Sequence, residues 1–324
     1  MIKLNMSDVI SVLNMCKPYL IAIAVILVVG IVAEVMCKKM ENPKRKLVRG
    51  NAILAMVLGV VIVANLICTG PMSTLLTLST QAAETVSDET TEQSNEDCRT
   101  IAAEGTVLLE NDGVLPLKDT KNINVFGWAS VNPIYGGSGA GALNDLYDRV
   151  TMLEGLEDAG FKLNSEFTDL YSNYGKERAD YGSDWSLPEV PAEEYSDELI
   201  ENAKEFSDTA IVTIARWGGE GSDLPTDMSS VSYTNNSDSY NDFETGQHYL
   251  ELSQTEKNMI NLVCENFEHV ILVYDGLSTF ELGFVEDYPQ IQGILWCAGP
   301  GQTGFDSLGK IISGEVNPSG KTSD

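Results

Sequence analysis

The sequence predicts an α/β fold, a mostly parallel sheet sandwiched by helices, preceded by an N-terminal two-helix transmembrane hairpin. Three observations predict it. Two long apolar runs stand near the N-terminus, charge is split sharply between the two ends of the chain, and from residue 98 short apolar strands alternate with segments of helical period.

The first apolar run, Tyr19 to Ala33, holds no charged side chain. With Pro18 and the flank to Met36 it approaches the roughly 20 residues that cross a bilayer. The second, Ala52 to Cys68, is interrupted only by Gly59 and Asn65. Between them stand Lys38, Lys39, Lys44, Arg45, Lys46 and Arg49. An excess of Lys and Arg holds a short loop in the cytoplasm. Residues 18–70 are therefore expected to anchor the chain in the membrane as a hairpin around a cytoplasmic loop, 37–50. The N-terminal segment 1–17 and everything after about residue 70 then face outward.

Residues 1–50 carry eight basic groups against Asp8, Glu34 and Glu41, and residues 51–80 carry no charge, so the net −28 leaves −33 for residues 81–324. Such a surface repels phosphate backbones and favours neutral or cationic ligands, so no nucleic-acid partner is expected. Residues 71–97 read as an acidic stalk, and 80–97 have too few apolar groups to offset chain entropy, which predicts disorder. Cys98, Cys264 and Cys297 are an odd number with no close pairing, so no disulfide framework is expected; the last two sit in apolar settings typical of buried thiols. His248 and His269 lie at no ligand spacing, so no metal is expected.

From residue 98 the expected elements are a helix over Arg99–Glu110, a strand over Ile123–Phe126, an amphipathic helix over Leu143–Ala159, a helix over Glu194–Phe206 and a strand over Ala210–Ala215. A helix over Ser253–Phe267 follows, with Ser253 and Glu256 at capping-box spacing. Strands His269–Tyr274 and Ile291–Cys297 and a helix Gly304–Ile312 complete the pattern. Strands alternating with helices give a parallel sheet covered on both faces.

Ligands of open parallel sheets sit beyond the carboxyl ends of the strands. Three glycine-rich segments follow strands here, Tyr135–Gly141, Arg216–Pro225 and Gly299–Gly304, and each is a candidate wall of one crevice. The first contains Gly137-x-Gly139-x-x-Ala142, the letters of a dinucleotide fingerprint, but nine residues separate it from the strand, where the fingerprint needs its glycines directly at the strand end. No cofactor is expected. In the second, Gly219-Glu220-Gly221 sets a carboxyl group on flexible backbone beside Arg216 and Trp217. Glycosidic cleavage needs a carboxylic acid that hands over a proton, and a sugar ring needs an aromatic platform and polar partners. A solvated loop carboxylate is the other reading of Glu220. Ser229–Glu244, with Asp238, Asp242 and Glu244, fits no calcium loop and reads as a solvated acidic loop.

Ala102 to Leu117, read Ala-Ala-Glu-Gly-Thr-Val-Leu-Leu-Glu-Asn-Asp-Gly-Val-Leu-Pro-Leu, resembles the entry to the α/β sandwich domain of glycoside hydrolase family 3. Val125-Phe126-Gly127, Tyr135-Gly136-Gly137-Ser138-Gly139, Gly218-Gly219-Glu220-Gly221-x-Asp223-Leu224-Pro225, and Gly299–Gln302 through Gly314–Lys321 continue it in family order over about residues 98–324. The resemblance implies a retaining β-glycosidase, similar to β-glucosidases, that acts on a β-linked oligosaccharide or glucoside. In that family a TIM-like barrel supplies the aspartate nucleophile and the sandwich domain supplies the acid/base. It implies Glu220 as acid/base, kept protonated in a dehydrated cleft, with Arg216, Trp217, Gly219, Asp223 and Ser138 toward the substrate. No segment resembles the barrel, and some relatives carry it after the sandwich domain. A longer polypeptide with the missing barrel C-terminal in cis is therefore expected, and the present chain alone is expected to be inactive. A non-catalytic glycan-binding surface module is the alternative.

Overall fold

The computed structural model describes residues 6–80, 86–138, 142–143, 147–176, 178, 184–221 and 223–322. It divides into two units, Met1–Val86 and Ser87–Asp324.

In the first unit the apolar runs form α1 (Met6–Cys37) and α2 (Asn42–Thr69), followed by α3 (Ser73–Thr80). α2 opens with a proline in its first turn, where no donor is needed. The turn at Lys38–Glu41 folds α2 back on α1, so that Gly30 faces the Met56 sulfur and Gly59 faces Ile26. Each helix is long and apolar enough to cross a membrane. Ile21, Val28, Val61 and Ile62 are all exposed.

In the second unit, α4 (Asp88–Gly105), β1 (Val107–Asn111), β2 (Asn122–Phe126), α5 (Met152–Asp158), β3 (Lys162–Leu163), α6 (Ser165–Asn173) and α7 (Asp197–Phe206) are followed by β4 (Thr209–Arg216), α8 (Gln254–Asn266), β5 (His269–Gly276), β6 (Ile291–Cys297) and α9 (Phe305–Ser313). The six strands run in the order β1-β6-β5-β4-β2-β3. Every neighbouring pair is parallel except β1 with β6.

Alternation along the strands divides the core. Val212, Ile214, Leu272 and Tyr274 face α6, α7 and α8, while Ile211, Ile271 and Val273 face α5 and α9. Burial on both faces makes the central strands β4 and β5 predominantly apolar. At full burial, each such side chain contributes about 1.5–3 kcal/mol. Cys264 and Cys297 are buried among these side chains.

Three expectations are corrected. The acidic stretch is helical from Asp88, not disordered: Ser87 caps the helix, Asp88 and Glu89 sit in its first turn, and Arg99 ties Glu92 and Glu96 to Asp306 of α9. The helix expected over Arg99–Glu110 stops at Gly105, where a glycine and the β-branched Thr106–Val107 pair disfavour helix, and Val107–Asn111 becomes an antiparallel edge strand. The helix expected over Leu143–Ala159 starts only at Met152, behind a capping box of Thr151 and Glu154. Residues 81–85 of the expected stalk and 144–146 of that expected helix lie outside the described residues.

α5 and α9 meet backbone to backbone. A Cβ on Gly155 would strike the Phe305 carbonyl, and one on Gly309 would strike the carbonyl of Gly155. Gly155→Ala is expected to force the helices apart and cost about 2–3 kcal/mol, read as a lowered urea midpoint for the full chain in detergent; an unchanged midpoint would remove this contact from the list of constraints.

Candidate active site

Four loops meet beyond the carboxyl ends of β2, β4, β5 and β6. The Gly301 N–H donates to the Tyr135 carbonyl at 2.9 Å, and the Leu277 N–H donates to the Arg216 carbonyl at 3.2 Å. Gly218 lies against Leu277 and Ser278. Gly219 faces Ser138 so closely that a Cβ would strike its hydroxyl and lie 2.8 Å from its backbone nitrogen. The Ser138 hydroxyl donates to the Glu220 carbonyl at 3.4 Å. The three glycine-rich segments therefore line one rim, and Glu220 stands exposed on it beside Asp223, also exposed. Gly139, Ala140, Gly141 and Ser222 of the expected motifs lie outside the described residues.

Trp217 is buried, not an open platform. Its indole lies under Gly219 and forms one wall of a cavity of about 220 Å³ lined by Pro133–Gly137, Leu143, Arg149 and Arg178.

Arg216 is corrected outright. Its guanidinium is fully buried, bonded to both Glu256 oxygens at 2.7 Å and to the carbonyls of Tyr249, Glu251 and Ala215. Burial acts against its charge, but the Glu256 carboxylate more than compensates and the guanidinium is held even more firmly protonated. With every arm engaged inside the fold, Arg216 is a structural residue and reaches no substrate. The same Glu256 accepts from the Ser253 N–H in the predicted capping box.

Two buried carboxyls stand outside the expected site residues. Asp275, at the end of β5, is wholly buried under the Ile134–Gly137 loop and accepts the Ile134 N–H at 2.5 Å; its other oxygen has no partner among the described residues. Burial pushes it up to about 7, against the Ile134 N–H and the Arg178 charge. Glu189 accepts the Trp128 and Val190 N–H groups and is pushed by burial up to about 8. The usable signal for Asp275 was an acid closing an apolar strand. Asp242, expected in a solvated loop, is buried as well, accepting from the Asn236 N–H and the Thr255 hydroxyl.

His248, Glu251 and Glu281 bring their ligand atoms within 4.8 Å of one another. The Leu250 N–H donates to His248 Nδ1, which leaves the ring proton on Nε2, 3.0 Å from Glu281. Hydrogen bonding accounts for this cluster, and spacing along the chain could not reveal it.

Residues 106–324 match the model of the glycosyl hydrolase family 3 C-terminal domain. The chain belongs to glycoside hydrolase family 3. It is 31% identical over 228 residues to a β-glucosidase of Ruminococcus albus, covering 69% of this chain and 22% of that protein. To β-glucosidase A of Butyrivibrio fibrisolvens it is 29% identical over 231 residues, covering 69% and 27%. Among solved structures, a β-glucosidase from Paenibacillus barengoltzii superposes with a TM-score of 0.57 at 25% identity, over 71% of this chain and 24% of the other. β-Glucosidase 3B of Thermotoga neapolitana, solved with glucose, gives 0.56 at 26% identity, over 71% and 30%. The chain thus spans about a quarter of the length of these family 3 relatives.

Two tests follow from the buried groups. Glu256→Gln leaves Arg216 charged and half-paired in the core and should cost about 3–5 kcal/mol, seen in urea unfolding; a loss below 1 kcal/mol contradicts the pairing. Asp275 keeps its proton in the folded state up to about pH 7, whereas the unfolded chain releases it near the ordinary 3.8. The folded state therefore binds more protons across that window, and stability falls as pH rises from about 4 to about 7. Relative to Asp275→Asn, the native chain should lose on the order of 4 kcal/mol at most over that range, and parallel stability–pH curves would refute the assignment.

Proposed function

We propose that this chain is the acid/base half of a membrane-anchored, extracytoplasmic, retaining β-glycosidase that hydrolyses a β-linked oligosaccharide or glucoside. The observation that carries the reading is the position of Glu220 on the rim where the loops after β2, β4, β5 and β6 meet, on backbone held by Ser138. The β-glucosidase names of the relatives support the substrate class. The two apolar helices and the basic loop between them support the anchor and its orientation.

In this reading the attacking carboxylate belongs to a barrel domain in cis, outside residues 1–324. Retention places its oxygen about 5–5.5 Å from the Glu220 carboxyl. Glu220 protonates the glycosidic oxygen as the C–O bond breaks and the nucleophile bonds to the anomeric carbon. As carboxylate it then takes a proton from water, whose oxygen displaces the nucleophile and restores the starting state. Glu220 is exposed in this unit, so in this reading the water-excluding wall over it comes with the barrel surface.

The 324-residue chain alone should show negligible turnover of 4-nitrophenyl β-D-glucoside. In the longer polypeptide, Glu220→Gln should lower kcat/KM about 100-fold or more on substrates with poor leaving groups, and much less on 2,4-dinitrophenyl glycosides, whose departure needs no acid. Undiminished turnover by Glu220→Gln on both would sink the acid/base role. Glycan binding without turnover in any context would mark a binding module instead.

A further inference from the structure

β4 ends at Arg216, and the turn that bears Glu220 starts with the next peptide. The ladder between β4 and β5 closes at Arg216 and Gly276, so the N–H of the buried Trp217 lies past its last position. A buried amide there needs an acceptor from outside the sheet. Tyr249 supplies it: the Trp217 N–H donates to the Tyr249 hydroxyl oxygen at 3.2 Å. The backbone of the same residue grips both sides of the turn. Its carbonyl accepts from Arg216 Nε at 2.7 Å, and its N–H donates to the Pro225 carbonyl at 3.0 Å. Glu220 thus stands between two points, Trp217 and Pro225, that are fastened to one residue.

Tyr249 is itself held firmly. It is fully buried, its ring meets Trp185 edge-on at 5.1 Å, and the Arg216 guanidinium lies 5.5 Å from its centroid. Around it, Trp185, Leu187, Met228 and Phe243 form a small core separate from those on the two sheet faces. Packing explains an aromatic ring at this position, and a phenylalanine would fill the same space. It does not explain the hydroxyl, whose bond is made to the first peptide of the Glu220 turn.

We propose that Tyr249 is a positioning residue for the candidate acid/base. Its hydroxyl and backbone set the angle at which the turn leaves β4, and so where the Glu220 carboxyl stands. This rests on the glycosidase reading for its consequence in catalysis, though not for the contact itself. A proton donor displaced by about 1 Å loses much of its effect on a leaving group that needs protonation. A leaving group that departs unaided feels little of the shift.

Two measurements test it. The chain has four tryptophans, so isotope labelling of their nitrogens in the full chain in neutral detergent gives four backbone amide signals by NMR. In the native chain the Trp217 amide should exchange with deuterium at least about tenfold more slowly than an open amide. Tyr249→Phe should speed that exchange about tenfold, one hydrogen bond's worth, with the Trp128 and Trp296 amides unchanged. A fast Trp217 amide in the native chain, no change in the variant, or equal acceleration of all three overturns the proposal. In the longer polypeptide, Tyr249→Phe should lower kcat/KM about tenfold on phenyl β-D-glucoside and less than about twofold on 2,4-dinitrophenyl β-D-glucoside. A merely structural role lowers both alike, so a uniform loss, or none, overturns the positioning role. Should Glu220→Gln show no such split, the acid/base reading has failed and the positioning role falls with it. Should Glu220→Gln show it and Tyr249→Phe not, the positioning role alone has failed.

Discussion

The candidate site depends on one buried ion pair. Arg216 is the last residue of β4, and its guanidinium is gripped by Glu256 and by carbonyls of the segment that leads into α8. Glu256 also closes the capping box of α8 through the Ser253 N–H. A single carboxylate thus joins the end of the central strand, the start of the helix that covers it and the loop between them. The Trp217–Gly221 turn begins at the next peptide, so its starting point and direction are fixed by a contact that no substrate touches. A charge pair taken wholly out of water adds little net stability against an apolar substitute, but it punishes every arrangement that leaves one partner alone. Here that penalty acts on geometry, because the turn can leave β4 in one way only.

Much of this was legible because burial on both sheet faces writes itself plainly into sequence. The runs at 123–126, 210–215, 269–274 and 291–297 are mostly apolar, each with a single polar residue, Asn124, Thr213, His269 and Gln292, and their strands fall within a residue or two of expectation. The Ser253–Glu256 box was equally visible, since a cap is a local hydrogen-bond problem with few side-chain solutions. The same logic at Thr151–Glu154 passed unnoticed, and a seven-residue helix was read as seventeen residues long. Residues 88–97 failed for a different reason. Their helix is held from outside, by Thr303 on the Asn95 carbonyl and Asp306 on Arg99, contacts more than 200 residues distant.

At the rim, the glycines were legible and the arginine was not. Gly218 and Gly219 announce close packing, and the structure supplies it in the Ser138 backbone nitrogen and hydroxyl against Gly219 and the Ser278 hydroxyl against Gly218. Arg216 beside an acid in a glycine-rich turn looks the same on paper whether its side chain points out to a ligand or back into the core. Its direction is set by strand alternation and by Glu256, forty residues on. Arg149 and Arg178 carried no signal at all, because only the folding of two separate loops brings them to one cavity.

The distribution of perturbed carboxyls argues for reading geometry before titration. Asp275 and Glu189 are pushed far from their ordinary range, and both are buried by the fold. Their burial comes from the fold itself, and their task is to accept the backbone N–H groups that bring the Ile134 and Trp128 segments over the sheet. Glu220 has the opposite arrangement, with backbone fixed by neighbours and a side chain at the exposed rim. A proton donor that must also meet a substrate cannot be desolvated by its own domain without closing the door on that substrate. In the proposed reading the site is divided between two surfaces: this one fixes where the carboxyl stands, and a facing surface removes water only when a ligand lies between them.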